Sequence, residues 1–440
     1  MTTRSTLLHE HEIPAPPYYP IYGLEETVSP HLARFAVEQK MMNVSDARAA
    51  ITRLSNSLPD DWVELSNLAS AHYVLGDVSR AAELYERVLQ RERNVSTLMN
   101  AAVILETFGR FHDALPLARE ANRLDPNDPY AGVLYSAALL RFERWREAWP
   151  DYVRYCANFD WLHLVLPEWK GLSQSIKGKR LLVLDEGGFG DNIFFFRWMP
   201  LLKKLGAHVT LKCPVGFAPL VEHYPFLDRV IGGGPQGQPV EVVPSEYDLF
   251  TSILDLGLHF DIELKDYEWR GPYLHANPYK SSLRRSVLRR GIFPSIGLCW
   301  KSGENVSPRK HRSLTPEQTS RILRTSCPLG QNWVSLVYDA HPPRIDEAPV
   351  LEPAMKDWSD TAAILSVLDL LITTDTGVAH LAGAMGIPTW VILPGISAWQ
   401  FLLRHEYHPL YPSMRMFRNV GEGIDNAVDS LCAAFQKGFK

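Results

Sequence analysis

The feature that most constrains this chain is a spacing of about 34 residues that recurs through its first third. Alanines separated by 34, 33 and 34 residues stand at Ala47, Ala81, Ala114 and Ala148. The residues four positions after these alanines are Ile51, Tyr85, Ala118 and Tyr152. The residues seven positions after them are Leu54, Val88, Ala121 and Tyr155, and both offsets place the side chains on one face of a helix. A small residue is needed wherever two paired helices cross closely. The spacing therefore predicts stacked helical pairs over residues 30–165.

Units of this kind resemble the tetratricopeptide repeat, in which each helical pair covers the apolar face of the next. Three units are clear, and the first, which contains Ala47, is degenerate. An irregular helical bundle is the alternative, and the regular spacing disfavours it. Stacked repeats present a concave surface, so they imply binding of a protein or peptide, or docking of the domain that follows. They do not imply catalysis.

The periodicity changes after residue 178, where short apolar strands alternate with helices. Two such series, over 178–290 and 291–420, predict two Rossmann-like α/β domains. The predicted strands are Arg180–Leu184, Gly206–Lys212, Arg229–Ile231 and Tyr247–Phe250 in the first series, and Ser295–Trp300, Trp333–Val337, Leu368–Ile372 and Thr389–Leu393 in the second. A Pro- and Tyr-rich leader over 1–29 is predicted to be extended, and 421–440 to form a final amphipathic helix. The predicted fold class is α/β, preceded by an all-α superhelix.

The net charge and the cysteine pattern limit which partners and which cellular compartment are expected. A net charge of −5 gives no reason to expect a nucleic acid or a membrane surface as a partner. Five dispersed cysteines without a CxxC pair are typical of reduced thiols in a cytosol-like compartment. The sequence opens without the apolar stretch of a signal peptide, and it contains no run long enough to span a membrane. We therefore expect a cytoplasmic protein, of an oligomeric state that the sequence does not indicate.

Parallel α/β sheets bind ligands at the carboxyl ends of their strands, which directs attention to three loops. The first runs from Glu186 to Asn192 with the sequence EGGFGDN. Its glycines let a backbone approach a substrate. However, Gly188-x-Gly190 is followed by Asp191, an acid that would repel a pyrophosphate, so a dinucleotide-binding fingerprint is set aside. Asp191 is either a general base toward a neutral acceptor or a helix cap, and its spacing alone favours the cap.

The second loop follows a buried strand and carries a cluster of cations. It has the sequence KSGENVSPRKHRS from Lys301 to Ser313 and contains Arg309, Lys310, His311 and Arg312. Cations at the carboxyl end of a strand suit a leaving diphosphate, whose developing charge must be neutralised. A solvated basic loop is the alternative, and the position after a strand makes it less attractive.

The third loop lies within the stretch TTDTGVAHLAGAMGIPTWVILP, over residues 373–394. Strand, turn, helix and strand follow one another here, and the turn holds Thr374, Asp375, Thr376 and Gly377. The N–H groups and the dipole at the start of a helix attract an anion such as a diphosphate. An ordinary N-cap by Asp375 or Thr376 is the alternative. His380, on the same helix, either reaches the ligand or packs in the core.

These loops resemble the heptosyltransferase family (family 9) of GT-B glycosyltransferases over residues 178–420. Gly190-Asp191 is similar to the family's Gly-Asp, whose aspartate is the catalytic base. Asp375 to Pro388 is similar to its donor motif, D-[ST]-G-x-x-H-L-A-x-A-x-G-x-P. Lys310 falls where the family carries a phosphate-binding lysine. The resemblance implies a GT-B fold and a nucleotide-sugar donor.

A wider resemblance covers nearly the whole chain. It is to bacterial proteins, described as O-GlcNAc-transferase-like, that join tetratricopeptide repeats to such a domain. It rests on PEWKG over 167–171, on the E-x-G-x-G-D turn, on R-S-L after the basic loop, and on W-x-x-L, P-x-Y-P and R-x-F-R between Trp399 and Arg418. Because lipopolysaccharide heptosyltransferases lack the repeats and this tail, a heptose donor and a lipid A-core acceptor are not implied.

Together these resemblances imply an inverting, metal-independent glycosyltransferase that acts on an acceptor, in the first place a protein, recruited by the repeats. The implied roles are catalysis for Asp191 and Lys310; donor binding for Lys301, Arg312, Thr374, Asp375, Thr376, Gly377 and His380; and an acceptor-side position for Glu186, Gly190 and Asn192. These loops contain no DxD motif, which agrees with catalysis without a metal, and no cofactor is expected.

Two other functions stay open on the sequence alone. One is a non-catalytic repeat scaffold whose α/β part binds a nucleotide sugar without turnover. The other is a transferase that acts on a glycan or a modified nucleic acid. The acidic net charge weighs mildly against the nucleic acid. The sugar, whether a hexose, heptose or pentose, and the base of the nucleotide are not indicated.

Overall fold

The computed structural model describes residues 51, 58–74, 77–156, 165–233, 242–289, 291–302, 312–346, 348–419 and 423–439. The predicted leader over 1–29, nearly all of the degenerate first repeat unit, and Lys310 with its neighbours Arg309 and His311 lie outside these residues.

Six helices form the N-terminal part of the described chain. They are α1 (Trp62–Val74), α2 (Val78–Leu89), α3 (Val95–Thr107), α4 (Phe111–Leu124), α5 (Pro129–Arg141) and α6 (Trp145–Cys156). Helices α1 and α2, α3 and α4, and α5 and α6 pack as pairs. The three alanines at the predicted crossings, Ala81, Ala114 and Ala148, are at most 1% exposed, as close helix crossing requires. The prediction of helical pairs is confirmed for the three units that the structure describes.

Polar side chains start several of these helices. Asp77 caps α2 by accepting from the Arg80 N–H, and Asp128 caps α5. Asn94 and Thr97 form a reciprocal capping box at the start of α3. Each such cap satisfies N–H groups that have no partner inside the helix. Local sequence therefore fixes the helix starts, while burial of the apolar faces between neighbouring pairs stabilises the stack.

The turn between α3 and α4 and the turn between α5 and α6 each contain a residue with a positive φ. Gly109 lies between α3 and α4 with φ of 82°, where glycine has no side chain to clash. The equivalent position between α5 and α6 is Glu143, with φ of 64°. A left-handed conformation costs a non-glycine residue about 1–2 kcal/mol. The Glu143 carboxylate lies 2.7 Å from the Nε2 of His405 in the C-terminal part of the chain.

The first α/β unit contains a four-stranded parallel sheet in the order β3-β2-β1-β4. Its strands are β1 (Arg180–Leu184), β2 (His208–Cys213), β3 (Arg229–Gly232) and β4 (Leu249–Ser252). Its helices are α7 (Phe189–Phe196), α8 (Met199–Lys204), α9 (Ala218–Val221) and α10 (Leu256–His259). The segment that contains PEWKG pairs with the edge strand β4, since the Trp169 N–H donates to the Phe250 carbonyl.

The second unit contains a seven-stranded sheet in the order β10-β11-β9-β8-β5-β6-β7. Its strands are β5 (Ser295–Cys299), β6 (Asn332–Ser335), β7 (Val350–Leu351), β8 (Leu370–Thr374), β9 (Thr389–Leu393), β10 (Tyr407–His408) and β11 (Tyr411–Arg418). All neighbours are parallel except β10 and β11. Its helices are α11 (Pro278–Leu288), α12 (Pro316–Arg324), α13 (Trp358–Leu365), α14 (Gly377–Ala384) and α15 (Asp425–Phe435). The predicted fold class, two parallel α/β units after helical repeats, is confirmed.

Details of the second sheet differ from the sequence prediction. Strand β8 begins at Leu370 rather than Leu368, because the N–H groups of Val367 and Leu368 still bond to carbonyls of helix α13. Strand β11 covers the R-x-F-R segment, for which no strand was predicted. Helix α11, within the range 178–290, packs against α13 of the second unit. No helix within the described ranges is long and apolar enough to cross a membrane.

The two α/β units meet where helices α7 and α14 pack against each other. A Cβ on Gly190 of α7 would lie 2.9 Å from the Cδ2 of His380 on α14, so this approach requires glycine. Likewise, a Cβ on Gly377 would lie 2.8 Å from the ring of Trp358. A backbone bond from the Trp358 N–H to the Gly216 carbonyl also joins the units. The carboxyl ends of β1, β5 and β8 thereby face one cleft.

The repeats pack on this pair of units through aromatic side chains. A buried cluster that they share consists of Trp145, Trp149 and Tyr152 of α6, Phe194 and Phe195 of α7, and Trp399. Trp399 belongs to residues 397–402, a segment of the second unit that we call the junction loop. Because aromatic rings bury large apolar areas, this cluster makes the repeats one body with the α/β units.

Candidate functional site

The cleft between the two α/β units has a volume of about 610 Å³. Eight of the residues predicted from the sequence line it, namely Gly190, Asp191, Lys301, Arg312, Asp375, Thr376, Gly377 and His380. They come from the three loops that follow β1, β5 and β8. The structure therefore brings together residues separated by up to 190 positions, as the carboxyl-end rule for parallel sheets predicts.

Asp191 lies in the first turn of α7 and uses both carboxylate oxygens. Its Oδ2 accepts from the N–H of Gly188 at 2.9 Å, which is the cap interaction that its spacing favours. Its Oδ1 accepts from the side-chain amide of Gln400 at 2.6 Å, across the domain boundary. Each carboxylate oxygen has two lone pairs, so a carboxylate that accepts these two bonds can accept others. The cap and a role as a base are therefore compatible.

The start of helix α14 forms the opposite part of the lining. Thr376, not Asp375, is its N-cap, and the Thr376 hydroxyl accepts from the Ala379 N–H at 3.4 Å. The Oδ1 of Asp375 lies 3.0 Å from Arg312, and its Oδ2 accepts from the Ala398 N–H at 2.8 Å. Asp375 is only 2% exposed. Its carboxylate therefore orients Arg312 and the junction loop.

The cations of the cleft differ in how they are paired. Lys301 lies 3.0 Å from the carboxylate of Asp339, and Arg312 is paired with Asp375 as above. Lys356 lines the cleft, is exposed, and forms no ion pair with the residues that the structure describes. Lys310 lies outside those residues, so its predicted contact with a phosphate stays a prediction. Three described cations thus border a cleft onto which the start of α14 opens, an arrangement suited to an anion.

His380 is buried and neutral at physiological pH. Burial lowers its pKa to about 4, and the nearby Asp375 carboxylate offsets this only in part. Its Nδ1 lies 3.3 Å from the hydroxyl of Tyr411. The edge of the ring that carries Cδ2 and Nε2 faces Gly190. His380 is therefore packed in the core and also lines the cleft, and its contact with a ligand stays a prediction.

Three predicted residues lie outside the described cleft lining. Thr374 is fully buried at the end of β8, and its hydroxyl has no hydrogen-bond partner within the described chain. Asn192 is 2% exposed and donates to the Glu186 and Gly188 carbonyls, which holds the shape of the first loop. Glu186 accepts a bond from the Ser252 hydroxyl at 2.5 Å. Contacts of these three with donor or acceptor stay predictions.

Sequence reasoning missed several residues of the lining. Gln400 lies inside the W-x-x-L segment that was noted, but nothing local marks it as a partner of Asp191. Trp358 begins helix α13, and its ring centroid lies 4.9 Å from that of Phe189 at the rim of the cleft. Lys356 precedes the same helix start. Cations and aromatic residues before a helix are common, so only the tertiary fold distinguishes these.

Comparisons with known proteins give one family match and several partial similarities. Residues 65–95 match the tetratricopeptide repeat family. The protein FlbA of Caulobacter vibrioides is 26% identical over 90% of this chain and 76% of its own length.

Among solved structures, a family 9 glycosyltransferase from Veillonella parvula is 14% identical, with a TM-score of 0.42 over 61% of this chain and 92% of its own. The E. coli heptosyltransferase WaaC, solved with ADP, is 11% identical, with a TM-score of 0.36 over 59% of this chain and 99% of its own. Because these structural matches score below 0.5, the function proposed below rests on the motifs and on the geometry of the cleft.

Proposed function

We propose that this protein is an inverting glycosyltransferase that uses a nucleotide-sugar donor and needs no metal ion. The observation that carries the proposal is the content of one cleft. A carboxylate, Asp191, borders the same space as the start of helix α14 and the cations Lys301 and Arg312. A base and an anion site at this proximity suit the transfer of a sugar from a diphosphate to a hydroxyl group.

The donor diphosphate is proposed to lie at the start of α14. There, Thr376 and Gly377 present backbone N–H groups, and the helix dipole favours negative charge. Lys301 and Arg312 contribute positive charge from the second loop, and Lys310 is proposed to join them. Asp339 pairs with Lys301, and Asp375 pairs with Arg312. These carboxylates fix the positions of the two cations, which would contact the diphosphate as well.

The transfer itself is proposed to follow a single displacement. Asp191 accepts the proton of an acceptor hydroxyl, and the oxygen attacks the anomeric carbon from the face opposite the diphosphate. The bond from that carbon to the diphosphate oxygen breaks, and the nucleoside diphosphate leaves with the electron pair. The cations neutralise the charge that develops on the leaving group. Inversion at the anomeric carbon follows from this geometry.

We infer a protein or peptide acceptor, recruited by the helical repeats. The support is architectural, since the last repeat helix packs against the α/β units through a shared aromatic cluster. The open alternatives correspond to distinct experimental results. Donor binding without turnover would indicate a scaffold, and turnover with a glycan or nucleic acid alone would replace the protein acceptor.

The donor is identified by measuring the melting temperature of the protein with ADP, GDP, UDP, CDP and dTDP, with inorganic phosphate as a control. One nucleoside diphosphate is expected to raise the melting temperature by roughly 3 °C or more at saturation. The corresponding sugar nucleotides are then assayed for release of that diphosphate. The proposal fails if no diphosphate stabilises the protein and no sugar nucleotide is consumed.

A matched pair of lysine variants locates the binding site. Lys301→Ala is expected to reduce the stabilisation by the diphosphate, because it removes a cation from the cleft. Lys203→Ala is the control, because Lys203 also forms an ion pair, at 2.6 Å from Asp228, but lies outside the cleft lining. Equal losses in the two variants would place the diphosphate elsewhere.

A further inference from the structure

We propose that Gln400 is a positioning residue for Asp191, and that the last repeat helix fixes Gln400, so that the repeats are a structural part of the active site. The proposal rests on the function proposed above. It adds a residue from the second α/β unit to the base on the first, and it gives the repeats a role beyond acceptor recruitment.

The contact between Gln400 and Asp191 has a defined polarity. The two side chains lie 2.6 Å apart across the domain boundary. A carboxylate can only accept, so the amide nitrogen of Gln400 must face it. This orientation leaves the side-chain oxygen of Gln400, Oε1, buried and without a partner among the described residues. With the Gly188 N–H on the other oxygen, the Asp191 carboxylate is held from both sides.

Gln400 is itself held by its backbone within the junction loop. The backbone carbonyl of Gln400 accepts a hydrogen bond from the Nε2 of His408 at 2.8 Å. The Nδ1 of His408 accepts from the Leu410 N–H at 3.0 Å. Both ring nitrogens of His408 are thus engaged in its neutral form, which burial favours by lowering its pKa well below the usual value. The position of Gln400 along the cleft is therefore fixed independently of Asp191.

The residue before Gln400 is anchored in the repeats. The indole N–H of Trp399 donates to the hydroxyl of Tyr152 on α6 at 3.3 Å. The Trp399 ring centroid lies 5.7 Å from those of Trp145 and Tyr152 and 5.9 Å from that of Trp149. Trp399 is 1% exposed, so its backbone cannot move without disturbing this cluster. The last repeat helix thereby sets the position from which Gln400 reaches Asp191.

Other contacts of the junction loop strengthen the same link. The backbone carbonyl of Ser397 accepts a hydrogen bond from Arg141 of the repeats at 3.5 Å. The Ser397 hydroxyl accepts one from Arg418 at 2.9 Å. Arg141 is itself fixed by a buried ion pair with Glu106 at 2.8 Å. The next residue, Ala398, bonds to Asp375 of the donor side. One short loop therefore contacts the repeats, the donor-side acid and the proposed base.

The test is the pH–rate profile of Gln400→Met, a variant of similar volume without a donor, measured with the donor identified above. We expect kcat to fall about 10-fold to 100-fold while KM for the donor is unchanged, because the base loses its alignment. The acidic limb of the profile is expected to move to higher pH, since a donated hydrogen bond favours the carboxylate over the acid. Gln400→Glu, which places a second negative charge there, is expected to move this limb further.

Among the described residues, the charged or titratable groups close to Asp191 include Glu186 on its own loop, and Arg312, Asp375 and His380 border the same cleft. None of them is altered in Gln400→Met, so the shift reports the lost amide. An unchanged pH–rate profile in both Gln400 variants would overturn the proposal, even if kcat fell.

The dependence on the repeats is tested by a pair of hydroxyl deletions. Tyr152→Phe removes the acceptor for the Trp399 indole and is expected to shift the profile in the same direction as Gln400→Met, by a smaller amount. Tyr85→Phe is the control, because its buried hydroxyl bonds to Ser66 and Ser70 within the repeats, away from the junction loop. Identical profiles for the two tyrosine variants would refute a link to the site.

These outcomes are separable from failure of the proposed function. If the wild-type protein consumes no sugar nucleotide, the proposed reaction is wrong and no profile exists. If it does consume one, the Gln400 and Tyr152 variants decide the positioning role by themselves. Melting temperatures of all four variants identify any loss of rate that is caused by unfolding.

Discussion

At the scale of single residues, Glu186 shows how burial sets the protonation of the first loop. Burial raises its pKa to about 9, and the nearby acids Asp255, Asp191 and Asp185 act in the same direction, while the Ser252 bond opposes them. Glu186 is therefore protonated in the folded protein at neutral pH. A neutral Glu186 adds no negative charge beside Asp191.

The protonation of Glu186 predicts a pH-dependent effect of Glu186→Gln on stability. Between pH 4.5 and 9 the folded state binds a proton that the unfolded state lacks, so wild-type stability falls as pH rises through this window. Glutamine removes this loss. The free energy of unfolding of the variant is expected to exceed that of the wild type by about 2–4 kcal/mol at pH 8, and by little at pH 4.5. Urea denaturation at both pH values measures the difference.

The control for this prediction is Glu222→Gln, at an exposed glutamate of the same α/β unit. It is expected to leave the free energy of unfolding unchanged at both pH values. An advantage of Glu186→Gln that does not grow with pH would contradict a protonated Glu186.

At the scale of elements, the crossing of α7 and α14 brings the base close to the donor side. The pair approaches closely because Gly190 has no side chain, and a Cβ there would lie 2.9 Å from His380, which is buried and cannot give way. Both helices begin at the cleft, so their separation sets its width. A glycine within a helix is otherwise unfavourable by about 1 kcal/mol relative to alanine, which indicates that close approach is what requires it here.

This crossing predicts opposite effects for the same substitution at two helical glycines. Gly190→Ala is expected to lower the free energy of unfolding by about 1–3 kcal/mol and to reduce donor turnover, because the helices must separate. Gly132→Ala, on α5, meets nothing closer than 3.7 Å and is expected to stabilise the protein by about 0.5–1 kcal/mol. Denaturation and turnover are measured on both. Equal increases in the free energy of unfolding of the two variants would show that the crossing tolerates a methyl group.

At the scale of the whole molecule, the order of the parts could be predicted from the sequence, because each part has its own period. The repeat spacing around Ala81, Ala114 and Ala148 follows from close helix crossing, and the alternation of strand and helix follows from a parallel sheet. The three loops could also be predicted, since carboxyl ends of parallel strands share an edge. These are consequences of local pattern and of one topological rule.

The contacts that organise the site could not be predicted in this way. The pairing of Asp375 with Arg312 and of Asp191 with Gln400 joins residues 63 and 209 positions apart. No local spacing encodes which polar side chains meet over such separations along the chain. Strand β11 was missed because Pro412 interrupts its apolar pattern; Pro412 precedes Met414–Arg418, the residues that pair with β9. Tertiary packing, rather than propensity, decided these features.

The central claim is that Asp191 is the base of a sugar transfer in this cleft, and the Asp191→Asn variant tests it most directly. Release of the nucleoside diphosphate from the identified donor is measured together with thermal stabilisation by that diphosphate. We predict that turnover falls about 100-fold or more while the stabilisation is retained, since asparagine keeps the shape but cannot take the proton. Turnover equal to that of the wild type would contradict the claim.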